Sequence, residues 1–234
     1  STRRSRAVGT DPDHSRQDTV MIGYIRDRFV YIRVPKNGST TFRTLCERAG
    51  WQPFNLFNTD IDLSQCVLWG HITEPEARHT KGLSTHLTDN PDFLERFMGH
   101  DPLFERMLVT GVFDAHTYSL HMTLGPLISL PIHWIPLDVN ITKWNPYPQP
   151  PEILDGNALT NDFFQEHGIN LHVTDRDIAY VKRVKHKEVR QKINQLKQQY
   201  HEPYQQLVKH FLEPDMILYT KILKQFADKY NTIR

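Results

Sequence analysis

Residues 29–42, FVYIRVPKNGSTTF, set a β-rich run, a polar loop with Lys36 and Gly38, and the start of a helical stretch in immediate succession. That order can hold an anion. A buried strand ending in a glycine-containing loop that feeds a helix gathers free backbone N–H groups and the positive end of the helix dipole at one point. Lys36 adds a mobile charge, and Ser39, Thr40 and Thr41 add hydroxyl donors. Lys36, Asn37, Gly38, Ser39, Thr40 and Thr41 are therefore a candidate cradle for a phosphate or sulfate. The pattern GxxxxGK[ST] is absent, because the lysine precedes the glycine, and this disfavours a purine triphosphatase. On generic chemistry alone, an ordinary β-turn with Ser/Thr capping the helix is an equal reading.

His71 closes the short apolar run at residues 65–70. An imidazole there can take a proton from a hydroxyl near neutral pH; equally, it is a histidine at a strand end bonded to a carbonyl. Glu74 and Glu76 are the other nearby candidate bases. No HExxH, GxSxG or EF-hand spacing occurs, and no metal is expected. Cys46 and Cys66 form no CxxC pair, so reduced thiols in a reducing compartment are expected. The basic run at 182–187 reads as a solvated face. The proline-rich stretch at 144–151 reads as a rigid loop whose aromatic residues could wall a sugar site.

The elements that must position these residues follow from periodicity. Residues 19–25 and 29–34 read as two strands around Arg26, Asp27 and Arg28, a hairpin or strand pair. Residues 41–49 have helical composition and stop at Gly50. The runs at 65–70 and 107–113 resemble buried strands, with helical pieces over 91–104 between them and a helix over 115–124 leaving the second. Residues 132–137 and 169–173 are weaker strand candidates. Beyond Lys182 the chain is helical, with Val189, Ile193, Leu196 and Tyr200 on one face. Strands alternating with helices predict an α/β sheet with a helical C-terminal flank.

The 234 residues are 38% hydrophobic and 24% charged, a globular composition. Residues 1–18 are expected to be a flexible polar leader, without the apolar core of a secretory signal, and 19–234 one domain. Net charge is +1, so no global field recruits nucleic acid or anionic lipid, and no apolar run approaches the ~20 residues of a membrane span.

The run VPKNGSTTF at 34–42 closely resembles the 5′-phosphosulfate loop of sulfotransferases, above all the carbohydrate type, whose strand is followed by PK-x-x-S-T-[ST]-F. The resemblance implies a P-loop-like fold with a central parallel sheet flanked by helices. It also implies a 3′-phosphoadenosine 5′-phosphosulfate (PAPS) donor bound at 36–41, with 3′,5′-adenosine diphosphate (PAP) as product. Lys36 would neutralise the leaving oxygen between sulfur and phosphorus, a task that needs no metal. Residues 68–72, LWGHI, look like the G-H-[IV] segment of uronyl 2-O-sulfotransferases, which makes His71 the catalytic base.

A third segment departs from the family. After the next strand sulfotransferases carry V-R-D-P-x-x-R-x-x-S, whose Arg and Ser hold the donor's 3′-phosphate. Here Asp114 matches, but Phe113, Ala115 and Tyr118 stand at the Arg, Pro and second Arg positions, and the serine falls on His121, or on Ser119 with a shift. Ser119, His116 or a distant basic residue is expected to substitute. In the resembling family a basic loop closes over donor or acceptor, which points to Arg183 and Lys185. Residues 211–219 are similar to the family's ending. The expected acceptor is a hydroxyl on a glycan or small carbohydrate. Asn37-Gly38-Ser39 is a glycosylation sequon inside the loop, which favours the cytoplasm unless folding shields Asn37, with the Golgi lumen as the alternative for a trimmed anchor. A non-catalytic module that binds a nucleotide or sulfated glycan is the competing expectation, and a P-loop small-molecule kinase is disfavoured by the reversed Lys/Gly order.

Overall fold

The computed structural model describes residues 22–139, 154–174 and 187–232. The leader, the 144–151 loop, Arg183 and Lys185 lie outside the described residues.

Strands β1 (Ile22–Arg26) and β2 (Phe29–Ile32) pair antiparallel, with Gly23 opposite Ile32 and Arg26 opposite Phe29. Only Asp27 and Arg28 join them, and Asp27 has φ 54, the left-handed geometry such a tight hairpin needs. Helix α1 (Ser39–Arg48) follows the polar loop, and β3 (Gln52–Asn55) returns antiparallel on the outer side of β1. Strand β4 (Val67–Ile72) lies parallel to β2, and β5 (Ile132–Pro136) parallel to β4. The sheet order is β3-β1-β2-β4-β5.

Between β4 and β5 run α2 (Pro75–Asp89), α3 (Pro91–Met98), α4 (Pro102–Val109) and the short α5 (Leu120–Leu124). A small ribbon of β6 (Asp138–Val139) and β7 (Leu154–Asp155) leads into α6 (Gly156–Glu166). The C-terminal flank is α7 (Lys187–Gln199), α8 (His201–Leu207) and α9 (Glu213–Thr232).

The α/β class is as expected, but the sheet is mixed where a central parallel sheet was anticipated. The two-residue β1–β2 connection can only produce antiparallel pairing; the parallel strands are joined by long helical crossovers. The expected strand at 107–113 is also corrected. Asp101 caps a helix there by accepting a bond from the Phe104 N–H, Pro102 opens it, and Phe104, Leu108 and Val109 bury one face. A short apolar run cannot by itself separate a buried strand from a helix. Residues 110–118 are irregular, the expected helix over 115–124 shrinks to α5, and β5 takes the place beside β4. Residues 169–173 form no strand; Asn161 instead clasps both backbone groups of Val173.

Alternate strand residues face opposite ways. Tyr31, Trp69 and Ile135 pack with Phe42 and Cys46 of α1 and with Leu159, Phe163 and Phe164 of α6. Val30, Ile32, Leu68 and Ile72 pack on the other face with Leu120, Leu124 and Ile222 of α5 and α9. Each such fully buried side chain contributes about 1.5–3 kcal/mol of apolar transfer. Helices α2, α3, α4 and α7 enclose a separate cluster around Leu83, Leu87, Phe97, Ile193 and Leu196, with Val189 and Tyr200 against it, the face read from the sequence. Cys46 and Cys66 are free. Among the described residues no helix is long and apolar enough to cross a membrane.

Candidate functional site

The carboxyl ends of the three parallel strands meet at one place. Beyond β2, Val34 is buried and its carbonyl accepts from the Asn37 N–H at 3.3 Å, closing a turn. Lys36 (φ 65) and Gly38 (φ 68) both adopt left-handed backbone, on either side of Asn37, whose N–H the turn itself uses. At Gly38 the glycine is required twice over, because a Cβ would lie 2.7 Å from Leu137 Cδ1, beyond the end of β5. Beyond β4, the Thr73 hydroxyl donates to Asn37 Oδ1 at 2.9 Å.

Gly38 caps α1 without any side-chain hydrogen bond. The alternative of a Ser/Thr-capped turn is thus not what forms: Ser39 is buried, Thr40 exposed and Thr41 half-buried, and none caps the helix. The Thr41 and Phe42 N–H groups bond back to the Gly38 carbonyl at 3.1 and 3.4 Å, while helix geometry leaves those of Ser39 and Thr40 without an intrahelical acceptor, at the positive end of the dipole. Two further donors surround the loop. Asn37 is 1% exposed and its Nδ2 has no partner; Arg78 of α2 is 3% exposed and its Nη2 has none either. Of the buried unpartnered polar atoms among the described residues, these two are placed on the loop and on a side chain bonded to it, where an incoming anion would satisfy them. Lys36 is half-buried on the same turn.

His71 lies on the α1 side of β4. Its ring stacks on Phe42 at 3.6 Å between centroids and meets Tyr31 and Trp69 edge-on. Thr160 Oγ1 donates to the Gly156 carbonyl at 2.7 Å, so the 3.1 Å contact with His71 Nε2 has the imidazole as donor. Nδ1 then carries the free lone pair, buried and unpartnered. Burial pushes the imidazole down to about 3, so it is neutral at physiological pH. The structure thus brings His71 against the loop through Phe42, but behind that ring, at 1% exposure.

Glu74 and Glu76 stand on the open side. With Lys81, Arg190, Asn194 and Lys197 they line a polar pocket of about 370 Å³ between α2 and α7. Glu76 Oε2 accepts from the Tyr204 hydroxyl at 2.9 Å, and Lys197 donates to Tyr204 and Thr80. Burial brings the Lys197 ammonium down to about 8, against the pull of Glu76 and Glu74. Glu74 is exposed.

Ser119 caps α5, accepting from the Met122 N–H at 3.1 Å, and is buried. Asp114 caps no helix. Its carboxylate takes bonds from the His116 N–H and His86 Nδ1, which outweigh burial and hold it below the usual carboxylate range. Asp215, from the family-like ending, accepts from the Leu120 and His121 N–H groups at the start of α5. Sequence reasoning missed Arg78. The signal available was a helical stripe of buried positions, Pro75, Arg78, His79, Gly82 and Leu83, that carries a cation where an apolar residue is usual.

The chain matches no protein-family model, and no curated protein or solved structure is significantly similar to it.

Proposed function

We propose that this chain moves a sulfuryl group from PAPS to a hydroxyl, on a carbohydrate, using a P-loop-like anion site without a metal. The observation that carries the reading is the open α1 N-terminus, with left-handed Lys36 and Gly38 at its mouth and the unpartnered Asn37 Nδ2 and Arg78 Nη2 behind it. In the reaction the acceptor oxygen attacks sulfur as the bond from sulfur to the bridging oxygen breaks, and PAP departs with that electron pair. Lys36 and the helix N-terminus stabilise the leaving charge, and the acceptor proton passes to a base. Positioning and electrostatics supply most of the rate, as in phosphoryl transfer.

His71 remains the base that the sequence resemblance nominates. Its Nδ1 is buried and meets no acceptor hydroxyl unless the residues around it open; Glu74 faces the open pocket and needs no such movement. The closed histidine favours the second reading, a non-catalytic module for a nucleotide or sulfated glycan. Asn37 is too buried to carry a glycan in the folded loop, so the sequon no longer separates the cytoplasm from the Golgi lumen as the proposed compartment. The test is PAP release from PAPS in the presence of hydroxyl-bearing sugars. Release by wild type and not by Lys36→Ala supports transfer; PAP binding without release from any acceptor supports the binding module instead.

A further inference from the structure

Lys197 of α7 is a buried amine without a counter-ion among the described residues. It is 7% exposed and forms part of the wall of the pocket of about 370 Å³ between α2 and α7. Its Nζ donates to Thr80 Oγ1 at 2.8 Å, to the Tyr204 hydroxyl at 2.9 Å and to the Glu76 carbonyl at 3.3 Å, all of them neutral acceptors. The Glu76 carboxylate reaches it only through Tyr204, whose hydroxyl donates to Oε2 at 2.9 Å. An ammonium held out of water without a paired anion is costly, and losing a proton removes that cost. Burial accordingly brings Lys197 down to about 8, against the pull of Glu76 and Glu74. Burial and then the Glu76 carboxylate raise the Tyr204 hydroxyl, which stays protonated. The charged and titratable groups around the amine, among the described residues, are Glu74, Glu76, His79 and Lys81 on the α2 side, Arg190 on α7 and Tyr204 on α8.

We propose that Lys197 is a nucleophilic amine that captures a small aldehyde or ketone in this pocket, its proton leaving along Tyr204 to Glu76. The inference is independent of the anion loop. The hydrogen bonds already run that way, from Nζ–H to the Tyr204 oxygen and from the Tyr204 O–H to the Glu76 carboxylate. When both protons shift one place, Nζ keeps its lone pair, Tyr204 is neutral again and Glu76 is protonated. The lone pair adds to the carbonyl carbon, the C=O pair moves onto oxygen, and a proton passes from nitrogen to that oxygen to give a carbinolamine. Glu76 then returns its proton, the hydroxyl leaves as water, and a protonated imine on Nζ remains beside the restored carboxylate. Nothing is oxidised or reduced. At pH 7 about a tenth of the Lys197 amine is neutral, against about one part in 2,500 for an ordinary lysine.

The probe is pentane-2,4-dione, small and uncharged at pH 7, which condenses with a neutral amine to a stable enaminone and has no charge to draw it to Lys36. Folded wild type is labelled over a range of pH, and the modified lysines are located by peptide mass. At pH 7 Lys197 is expected to react at least about tenfold faster than any other lysine, since its lower basicity takes back only part of the gain in neutral amine. Its rate should level off above about pH 8 while the others keep rising. Glu76→Gln keeps an oxygen for the Tyr204 hydroxyl but can neither take nor return a proton, and it should slow Lys197 at least about tenfold with the other lysines unchanged. A Lys197 that reacts no faster than surface lysines, which is what a merely structural lysine gives, overturns the proposal. So does a Lys197 rate that climbs in parallel with theirs beyond about pH 9, or one untouched in Glu76→Gln. Should Glu76→Gln not fold, the wild-type map and its pH profile decide. Failure of PAP to bind at the loop would leave these outcomes as they are.

Discussion

Two histidines on opposite sides of the candidate site are buried and neutral, and acid should unfold the protein through them. Burial holds both His71 and His79 at about 3, whereas in the unfolded chain an imidazole titrates near 6.5. The unfolded state therefore binds more protons between these values, so stability is full above about 6.5 and is lost as pH falls toward 3. From pH 6.5 to pH 5, each histidine loses roughly 1.5 units times 1.36 kcal/mol, about 2 kcal/mol, or about 4 kcal/mol for the pair. That is a large part of a typical total of about 5–15 kcal/mol. His71→Phe isolates one of them. A phenyl ring fits the stack with Phe42, and Thr160 keeps its bond to the Gly156 carbonyl. Urea denaturation at pH 7 and pH 5 should show the wild type losing about 2 kcal/mol more than His71→Phe, with equal m-values. Equal losses in the two proteins would refute the closed environment described for His71. The same argument bears on catalysis: if His71 is the base in this closed state, activity has no acid limb near 6.5.

Gly38→Ala should cost about 1–2 kcal/mol for left-handed backbone plus about 1 kcal/mol for displacing Leu137. At ~2–4 °C per kcal/mol this lowers Tm by about 4–12 °C, and Gly38→Ala/Leu137→Ala should recover only the steric share; an unchanged Tm contradicts both terms. Lys36→Ala should keep the fold by circular dichroism and lose more than tenfold in kcat/KM, about 1.4 kcal/mol or more; a smaller loss removes its role at the leaving oxygen. Asp215→Ala leaves the Leu120 and His121 N–H groups uncapped and should destabilise by about 2 kcal/mol in thermal denaturation, whereas a neutral change shows that water replaces the carboxylate. Arg183→Ala and Lys185→Ala should each weaken PAP more than 5′-AMP, and a 3′-phosphate preference untouched by both changes excludes the basic run from the site.

The loop was legible because its signal is local. Strand, Lys36, Gly38 and the β-turn hydroxyls follow each other within a dozen residues, and the structure folds them as that order dictates. The hairpin before it and the stripe of Val189, Ile193, Leu196 and Tyr200 were legible for the same reason, since period and turn chemistry act over short spans. What failed was non-local or ambiguous. The apolar run ending at Phe113 carries no period that separates strand from helix, and the Asp101-Pro102 start signal lies before it. Arg78 gained its meaning only by folding, since it touches Pro35 and Tyr118, each about forty positions away. His71 was placed correctly on its strand, but nothing in its neighbours foretold that Phe42 would lie flat on its ring.

The central claim is that the 34–41 loop is a site for a phosphosulfate nucleotide, and calorimetric titration of wild type and Lys36→Ala with PAP and with ATP–Mg²⁺ tests it most directly. The account predicts saturable PAP binding by wild type, at least about tenfold weaker in Lys36→Ala, and no comparable affinity for ATP–Mg²⁺. Binding of ATP–Mg²⁺ alone, or PAP binding that ignores the loss of Lys36, would contradict it.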